Sequence, residues 1–297
     1  MRILVTGGTG FIGSHLCPLL LRHGHQLTVL SRRPDSVSKR FGAGVDAWQS
    51  LEQWQPATRF DAVINLAGEP IIDRPWTAAR KQALLASRIG VTEQLVMAMQ
   101  RAEHKPSVLL SGSAVGIYGD AGTDPCPESR TAAHDFGAQL CSRWEQAALR
   151  AEALGVRVVL LRTGLVLHGS GGMLKKMRPP FRFGFGSRLG DGRQMMSWIH
   201  LQDYLNAVLF LLDDGQCRGA YNMTAPNPVS NAEFTRALAK SVNRRAVLAA
   251  PEFLLKPLLG QRSVLLLGGQ SAPPANLLRQ GFRFQFPHLS DALNNIG

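Results

Sequence analysis

The chain lacks several features that mark membrane, secreted and metal-binding proteins. No run reaches the roughly 18 apolar residues of a membrane-spanning helix, and the apolar start MRILV leads directly into glycines, which does not fit a signal peptide. The four cysteines are scattered, without metal-ligand or CxxC spacing. We therefore expect structural thiols, no metal site, no membrane association and a reducing, cytoplasmic environment.

Acidic residues, lysine and tyrosine are also scarce. Lysine and arginine together number 33 against 21 acidic residues, which gives a net charge of +12, and the chain has only three tyrosines. The basic residues are spread from Arg2 to Arg283 with no run longer than two, and no aromatic residues are interleaved with them. Nucleic-acid surfaces concentrate such residues on one stripe or face. We expect instead a small-molecule partner, with anionic ligands, and no nucleic acid.

The first residues carry a glycine pattern in a strand-turn-helix context. The apolar run Arg2–Val5 leads into TGGTGFIG, and apolar positions at helical spacing follow. In a dinucleotide-binding turn, Gly7 permits the tight turn, Gly10 lets the backbone approach a pyrophosphate, and Gly13 lets the helix pack on the strand. Free amides at the start of the helix then face the phosphates. The predicted cofactor-binding residues of this segment are Gly7, Thr9, Gly10, Phe11, Ile12 and Gly13.

The second strand, Gln26–Leu30, ends at the position that decides between the two nicotinamide cofactors. An NAD-selective fold places a carboxylate there, which binds the ribose hydroxyls and repels a 2′-phosphate. This chain has Ser31, Arg32 and Arg33 instead. Guanidinium groups bind phosphate through forked, charge-assisted hydrogen bonds. We therefore predict NADP(H) as the cofactor.

Strand and helix patterns alternate along the rest of the chain. A buried strand at Phe60–Gly68 is followed by a helical stretch at about 76–103, a strand in PSVLLSGSA, a helix at about 134–153 and a strand at Val156–Leu167. This alternation predicts an α/β, Rossmann-type fold with a doubly wound parallel sheet. The end of the strand Phe60–Gly68 lies beside the cofactor in such a sheet. Its predicted cofactor contacts are Leu66, Ala67, Gly68 and Glu69.

The sequence also suggests how the chain divides. Residues 1–167, completed by 197–224, form the predicted NADP-binding Rossmann domain. Residues 168–196 are rich in glycine and arginine with weak periodicity and are predicted to form a cap loop over the pocket. Residues 225–297 alternate short helices with proline breaks and form a predicted smaller C-terminal α/β substrate lobe.

Several motifs in order resemble the extended short-chain dehydrogenase/reductase superfamily, the branch that holds nucleotide-sugar epimerases. The motifs are TGGTGFIG, NLAG, SGSAVGIYG, LLRTGLVL and WIHLQD. More narrowly, NLAGEPI, SWIHLQD and the tail SVLLLGGQ…LLRQGFRF look like an atypical subgroup of epimerase-family proteins, of the YfcH type. The resemblance covers nearly the whole chain. It implies the fold and the cofactor, whereas the reaction differs among proteins of one fold.

The resemblance also implies a catalytic set, and part of it is missing. In that superfamily a serine or threonine ends the catalytic strand, and a tyrosine followed four residues later by a lysine stands on the next helix. Ser113, with Ser111 as the other candidate, matches the first group. Between Thr131 and Glu145 there is neither tyrosine nor lysine. Phe136, Leu140 and Trp144 instead recur every four residues there.

Several residues are candidates to replace the missing tyrosine and lysine, and each of them has an alternative role. Tyr118 is a candidate proton donor or a packing residue, and His200 either titrates near neutrality or, with Asp203, holds the cap. Glu69 either contacts the cofactor's ribose or nicotinamide region or acts as a base. Arg88 and Arg162 are predicted cofactor or anion contacts, with surface charge and cap fastening as their alternatives. Thr163 ends the strand beside Arg162. The cap arginines that suggest an anionic substrate are Arg182, Arg188 and Arg193.

These patterns predict an NADP(H)-dependent oxidoreductase acting on a small anionic carbonyl or alcohol compound, with Ser113 and Tyr118 as the candidate catalytic residues. The alternative is a non-catalytic NADP(H)-binding redox sensor or regulatory protein. Nucleotide-sugar epimerisation is less favoured, because it needs a base that acts reversibly at the same carbon atom of the sugar and the usual base is absent. We expect a monomer or a homodimer.

Overall fold

A seven-stranded parallel sheet forms the centre of the computed structural model, which describes residues 1–296. The strands are β1 (Arg2–Thr6), β2 (Gln26–Leu30), β3 (Asp46–Trp48), β4 (Ala62–Asn65), β5 (Val108–Ala114), β6 (Arg157–Thr163), β7 (Leu165–Leu167), β8 (Ser187–Leu189), β9 (Met195–Met196), β10 (Trp198–His200), β11 (Gly219–Met223), β12 (Val229–Ser230) and β13 (Leu248–Ala250). The order in the central sheet is β11-β6-β5-β4-β1-β2-β3. The predicted doubly wound parallel sheet is confirmed.

Twelve α-helices surround and extend this sheet in the described residues. They are α1 (Gly13–Arg22), α2 (Asp35–Phe41), α3 (Ala78–Leu85), α4 (Val91–Arg101), α5 (Phe136–Leu149), α6 (Gly172–Arg182), α7 (Leu201–Asp213), α8 (Asn231–Ser241), α9 (Glu252–Leu259), α10 (Val264–Leu267), α11 (Ala275–Arg279) and α12 (Leu289–Asn295). A π-helical turn, Ala86–Gly90, joins α3 to α4. No helix of residues 1–296 is long and apolar enough to cross a membrane.

Alternate residues of the strands face two separate cores. Ile3 and Val5 pack with the apolar sides of α1 and α7, whereas Leu4 packs with α4 on the other face. Continuous apolar runs are typical of parallel strands buried on both sides, and they explain why the sequence predicted these strands well. The chain order reverses between β1 and β4, so the crevice beyond their carboxyl ends is the expected ligand position.

The predicted cap loop contains regular structure. Residues 168–196 include α6 and the short strands β8 and β9, and β8 pairs with β13 while β9 pairs with β12. Leu174 and Phe181 are buried on α6 together with the partly buried Met177. Two prolines and many glycines obscured this helical spacing in the sequence. The domain boundaries at 167, 196 and 224 stay predictions, and Gly297 of the predicted lobe lies outside the described residues.

The C-terminal residues are fastened to the sheet domain by polar contacts. Asp203 on α7 accepts hydrogen bonds from the backbone N–H groups of Gln285 and Phe286, at 2.8 and 2.9 Å. His200 caps α7, since its Nδ1 accepts from the Gln202 N–H at 3.1 Å. Burial lowers the pKa of His200 to about 4, which does not favour the alternative of titration near neutrality. The contacts of His200 and Asp203 therefore stabilise the start of α7 and its attachment to the C-terminal residues.

Candidate functional site

A groove of about 700 Å³ runs along the carboxyl ends of β1, β2 and β4, at the reversal of strand order. Most of the predicted cofactor residues line it: Gly7, Thr9, Gly10, Ser31, Arg32, Arg33, Leu66, Ala67, Gly68 and Glu69. The sequence did not identify the other lining residues, which include Gln49, Ser50, Ser87 and Gln94. These polar side chains follow β3 or stand on the helices after β4, where no local motif signals a binding role.

The glycine turn is fixed by close backbone packing. Gly7 has φ +69°, and a Cβ there would lie 2.6 Å from the carbonyl carbon of Leu66. A Cβ on Gly13 would overlap the Gly7 carbonyl oxygen and lie 2.6 Å from the Cα of Gly8. Glycine is therefore required at both positions. Around Gly10 a Cβ would meet only the Gly7 carbonyl oxygen, at 3.1 Å, so the groove side of this residue is open for a ligand.

Phe11, Ile12 and Gly13 do not line the groove. Gly13 contributes the tight packing just described, and Ile12 packs against the core. The Phe11 ring lies against Gly171 and Gly172 of the cap instead. It therefore joins the glycine turn to the cap.

Cations surround the outer end of the groove. The Arg32 side chain is 90% exposed, and its Nη1 lies 3.5 Å from Oε1 of Glu69. The Arg33 N–H donates to Oγ of Ser31 at 3.2 Å, which sets the turn after β2. Arg40 on α2, which the sequence did not single out, donates from Nη1 to the Thr9 carbonyl at 2.9 Å. Exposed guanidinium groups on this rim are suited to an anionic ligand.

Glu69 stands on the opposite rim and is already paired. Its carboxylate forms ion pairs with Arg80 and Arg32. The Arg80 hydrogen bond is the main reason that the pKa of Glu69 lies below its usual value. Such a carboxylate is anionic at neutral pH and is bound by guanidinium groups, which does not favour the alternative of a general base. A contact to the cofactor's ribose or nicotinamide region stays a prediction.

Behind the groove, the candidate catalytic hydroxyls belong to a buried polar network. Ser113 donates its hydroxyl proton to Oε1 of Glu145 at 2.6 Å. Arg162 donates to both Glu145 oxygens at 2.9 Å and, from Nη1, to the Tyr118 hydroxyl at 2.9 Å. Tyr118 in turn donates to Oδ1 of Asn222 at 2.8 Å. All five residues are buried, and none of them lines the groove.

The protonation state of the network follows from its burial. Burial raises the pKa of Tyr118 to about 12, although the Arg162 charge opposes this shift. The phenol is therefore neutral, and its proton is committed to Asn222. The hydrogen of Ser113 is likewise committed to a carboxylate. Proton transfer to a substrate by these two hydroxyls stays a prediction, and the geometry gives both of them internal partners.

The helix face that should carry the tyrosine-lysine pair is apolar. Leu140 and Trp144 are buried on α5, and Phe136 packs edge-to-face on Trp76 at 5.0 Å between ring centroids. The Trp144 Nε1–H donates to Oγ1 of Thr92 at 3.0 Å. Glu145 stands next on this helix, and the sequence analysis missed its role. The sequence signal that points to such a role is a carboxylate directly beside the apolar stripe of this helix.

The remaining predicted residues lie elsewhere. Ser111 is buried and accepts a hydrogen bond from Nδ2 of Asn65 at 3.3 Å, so its oxygen has a partner inside the protein. Thr163 donates to the Leu161 carbonyl at 3.1 Å. Arg88 lies just beyond the groove, with Nη2 donating to the Glu69 carbonyl oxygen at 2.8 Å. The cap arginines are exposed and do not line the groove; they are Arg182, Arg188 and Arg193.

Comparison with known proteins identifies the fold family. Residues 3–224 match the model of the NAD dependent epimerase/dehydratase family, and residues 250–296 match a domain of unknown function, DUF1731. The epimerase family protein YfhF of Bacillus subtilis is 38% identical over 299 residues, with 100% of this chain and 98% of the relative covered. An Arabidopsis thaliana chloroplastic relative, named epimerase family protein SDR39U1 homolog, is 37% identical and covers 100% of this chain and 86% of its own length.

Solved structures give the same result. The crystal structure of human epimerase family protein SDR39U1 (isoform2) with NADPH has a TM-score of 0.91 and 34% identity, and the match covers 100% of this chain and 99% of that one. A nucleoside-diphosphate sugar epimerase from Corynebacterium glutamicum has a TM-score of 0.78 and 28% identity, covering 100% of this chain and 58% of that one.

The resemblance read from the motifs is confirmed, and the groove stands where an NAD(P)-binding fold has its cofactor. The chain belongs to the NAD dependent epimerase/dehydratase family.

Proposed function

We propose that this chain binds NADP(H) in the groove and prefers it to NAD(H). The observation that carries this proposal is the exposed guanidinium rim at the end of β2, where a carboxylate would exclude a 2′-phosphate. Arg32 and Arg33 would hold that phosphate, with the Ser31 hydroxyl beside them. The NADPH-bound human relative, whose chain matches this one over its whole length, supports the same choice.

The pyrophosphate in the middle of the cofactor would lie along the glycine turn. Helix α1 begins at Gly13, directly after this turn, and a helix N-terminus carries a partial positive charge that favours phosphate. Gly10 leaves room for the close approach that a pyrophosphate needs. These groups act together with the arginine rim, so the chain offers cationic or N–H contacts for both phosphate positions.

We further propose that the protein is an oxidoreductase acting on a small carbonyl or alcohol compound. The nicotinamide supplies or accepts the hydride when it is bound. The chain itself must place the substrate oxygen and provide a route for a proton. Ser113, at the end of β5, is the nearest match to the family's catalytic hydroxyl. Its hydrogen is donated to Glu145, so its oxygen lone pairs remain to orient a water molecule or a substrate hydroxyl. In the direction of reduction that water would donate the proton that the carbonyl oxygen gains, and the hydroxide that remains would be reprotonated by bulk water.

The test of this activity is nicotinamide absorbance. The NADPH-loaded protein is mixed with a panel of small carbonyl compounds, with and without negative charge. We expect oxidation of NADPH with at least one of them and a slower rate for Ser113→Ala. The matched control is Ser142→Ala on α5, a half-buried serine outside the network. Oxidation that Ser113→Ala leaves unchanged would remove the proposed role of Ser113.

The second candidate function is NADP(H) binding without turnover, as in a redox sensor. A specific observation favours it: the Ser113 and Tyr118 hydrogens are both donated inside the protein. This candidate predicts tight NADPH binding together with unchanged absorbance for every compound of the panel. The same experiment therefore separates the two functions. Epimerisation has less support, because α5 has no tyrosine-lysine pair and no other pair that replaces it as the reversible base.

A further inference from the structure

A second cavity, of about 500 Å³, lies between the start of α1, the start of the cap, the start of α7 and the C-terminal residues. None of its lining residues lines the cofactor groove. Its wall combines three histidines with apolar side chains and includes His15, His168, His200, Leu205, Phe286 and Ile296. A cavity of this size, with an apolar wall and a few polar groups, is typical of a small-molecule site.

His200 carries a hydrogen-bond donor without an acceptor in this cavity. The residue is only 4% exposed, and within residues 1–296 its Nε2 atom is buried without a hydrogen-bond partner. Its Nδ1 accepts the Gln202 N–H, and its pKa of about 4 makes the ring neutral at pH 7, so the one ring proton is on Nε2. The exposed Asn295 amide nearby opposes the pKa shift but does not complete a hydrogen bond with Nε2. A buried N–H without an acceptor is costly, which points to a ligand that supplies one.

His168 supplies a second donor to the same cavity. Its Nδ1 accepts from the Ser170 N–H at 3.3 Å and lies 2.8 Å from Oγ of that serine. Burial lowers the pKa of His168 below its usual value, so the neutral ring has its proton on Nε2. The His15 ring is held at 4.8 Å from it, between centroids, since Nδ1 of His15 donates to the Phe11 carbonyl at 2.9 Å. The cavity is therefore lined by two imidazole rings that each carry an Nε2–H group.

The charges around the cavity favour an anion of low charge. The charged neighbour that lowers the pKa of His200 is His168, and the one that lowers the pKa of His168 is His15. Arg178 stands just outside and donates to a backbone carbonyl of the cavity wall at 3.2 Å. The acid of this region, Asp203, already accepts hydrogen bonds from two backbone N–H groups. In the part of the chain that the structure describes, no acidic residue, lysine or arginine lines the cavity itself.

We propose that this cavity binds a small organic acid, whose carboxylate accepts hydrogen bonds from the Nε2–H groups of His168 and His200. The apolar part of the acid packs against Leu205 and Phe286. Two N–H donors suit the two oxygens of a carboxylate. A dianionic phosphate would be buried without a lysine or arginine in the wall, which costs more than burial of a single charge. The site is separate from the cofactor groove and does not depend on the proposed oxidoreductase function.

Titration followed by NMR of the histidine rings tests the proposal. The whole protein is titrated with butyrate, with the neutral isostere butyramide and with inorganic phosphate. Each titration is done with free protein and with protein saturated with NADPH, which closes the groove to the probe. We expect butyrate to shift the ring resonances of His168 and His200 in both states. Butyramide and phosphate should bind at least about tenfold more weakly, because hydrogen bonds to a charged acceptor are the stronger ones.

Two variants remove the donors one at a time. His200→Asn keeps a side-chain acceptor that can cap α7 but no longer carries an Nε2–H group, and His168→Ala removes the second donor. Each should weaken butyrate binding by about tenfold or more and leave NADPH affinity unchanged. The control is His104→Ala, which removes an exposed histidine and should change neither affinity.

Four results would overturn the proposal: no butyrate binding by the wild type, equal binding of butyramide or phosphate, displacement of butyrate by NADPH, or unchanged butyrate affinity in either variant. Failure of the wild type to bind NADPH is a separate result. It would refute the proposed cofactor function, while the titration of the free protein would still test this site.

Discussion

The cofactor groove and the network behind Ser113 are both rich in charged groups, but their charges are arranged in opposite ways. The groove has an exposed arginine rim and open space beside Gly10. In the network, Arg162 and Glu145 are both buried, and each donor has a protein acceptor. The groove has charged groups and open space available to a ligand, whereas the polar groups of the network are hydrogen-bonded to one another.

The comparison teaches that a hydroxyl predicted to be catalytic can have its hydrogen donated inside the protein. Ser113 is the residue that the sequence predicts as the catalytic hydroxyl, and in the structure it donates its hydrogen to Glu145. Arg162 joins β6 to α5 and to the loop that carries Tyr118. The network therefore stabilises the end of β5, and the groove carries the binding function. Four experiments, given in order of decreasing expected effect, test this difference between the groove and the network.

The largest effect is expected from Glu145→Gln. Loss of the carboxylate leaves the buried Arg162 without a counter-charge, and breaking a buried ion pair in this way costs about 3–5 kcal/mol. Urea unfolding at neutral pH measures the loss. Glu93→Gln, which breaks an exposed pair with Arg150, should cost only about 0–1 kcal/mol. Equal effects in the two variants would contradict the view of the network as a closed structural unit.

Alkaline pH should weaken the network next. The pKa of Tyr118 is about 12 in the folded chain and about 10 when unfolded, so this residue stabilises the fold below about pH 10. That contribution, about 2–3 kcal/mol, is lost as the pH rises towards about 12. Unfolding free energies across this range, compared with those of Tyr118→Phe, measure it. The variant should show a shallower decline, and an identical decline would contradict the assignment.

Gly13→Ala should damage the groove while it leaves the network intact. The added methyl group overlaps the Gly7 carbonyl oxygen, so the turn must shift. Overpacking of this kind costs about 1–3 kcal/mol, and calorimetry should detect no NADPH binding. Gly44→Ala is the control, because nothing lies within 4 Å of a Cβ there. Normal NADPH affinity in Gly13→Ala would show that the cofactor does not use this turn.

The sequence predicted the groove well because its signals are local. The glycines, the arginines after β2 and the run NLAGE each follow a strand directly, and a parallel sheet brings such ends to one edge. Contributions from other elements were missed, for example Arg40 on α2 and Gln94 on α4. Their roles depend on how helices pack against the sheet, which no short pattern specifies.

The network was not predictable in the same way. Its members come from β5, the following loop, α5, β6 and β11, and hydrogen-bonded partners lie up to 104 residues apart in the chain. Glu145 and Asn222 acquire their roles only when these elements meet in the core. The α6 helix was missed for another reason: its prolines and the surrounding glycines hide the spacing of its few buried side chains. Long-range packing decides such features, so a single sequence gives little sign of them.

The experiment with the smallest expected effect is also the most direct test of the central claim, that the arginine rim at the end of β2 selects NADP(H). We expect the wild type to bind NADPH more tightly than NADH in calorimetric titrations. Replacing Arg32 and Arg33 together by alanine should weaken NADPH binding by about tenfold or more and leave NADH affinity unchanged, since only NADPH has the 2′-phosphate. Equal affinity of the double variant and the wild type for NADPH would contradict the account.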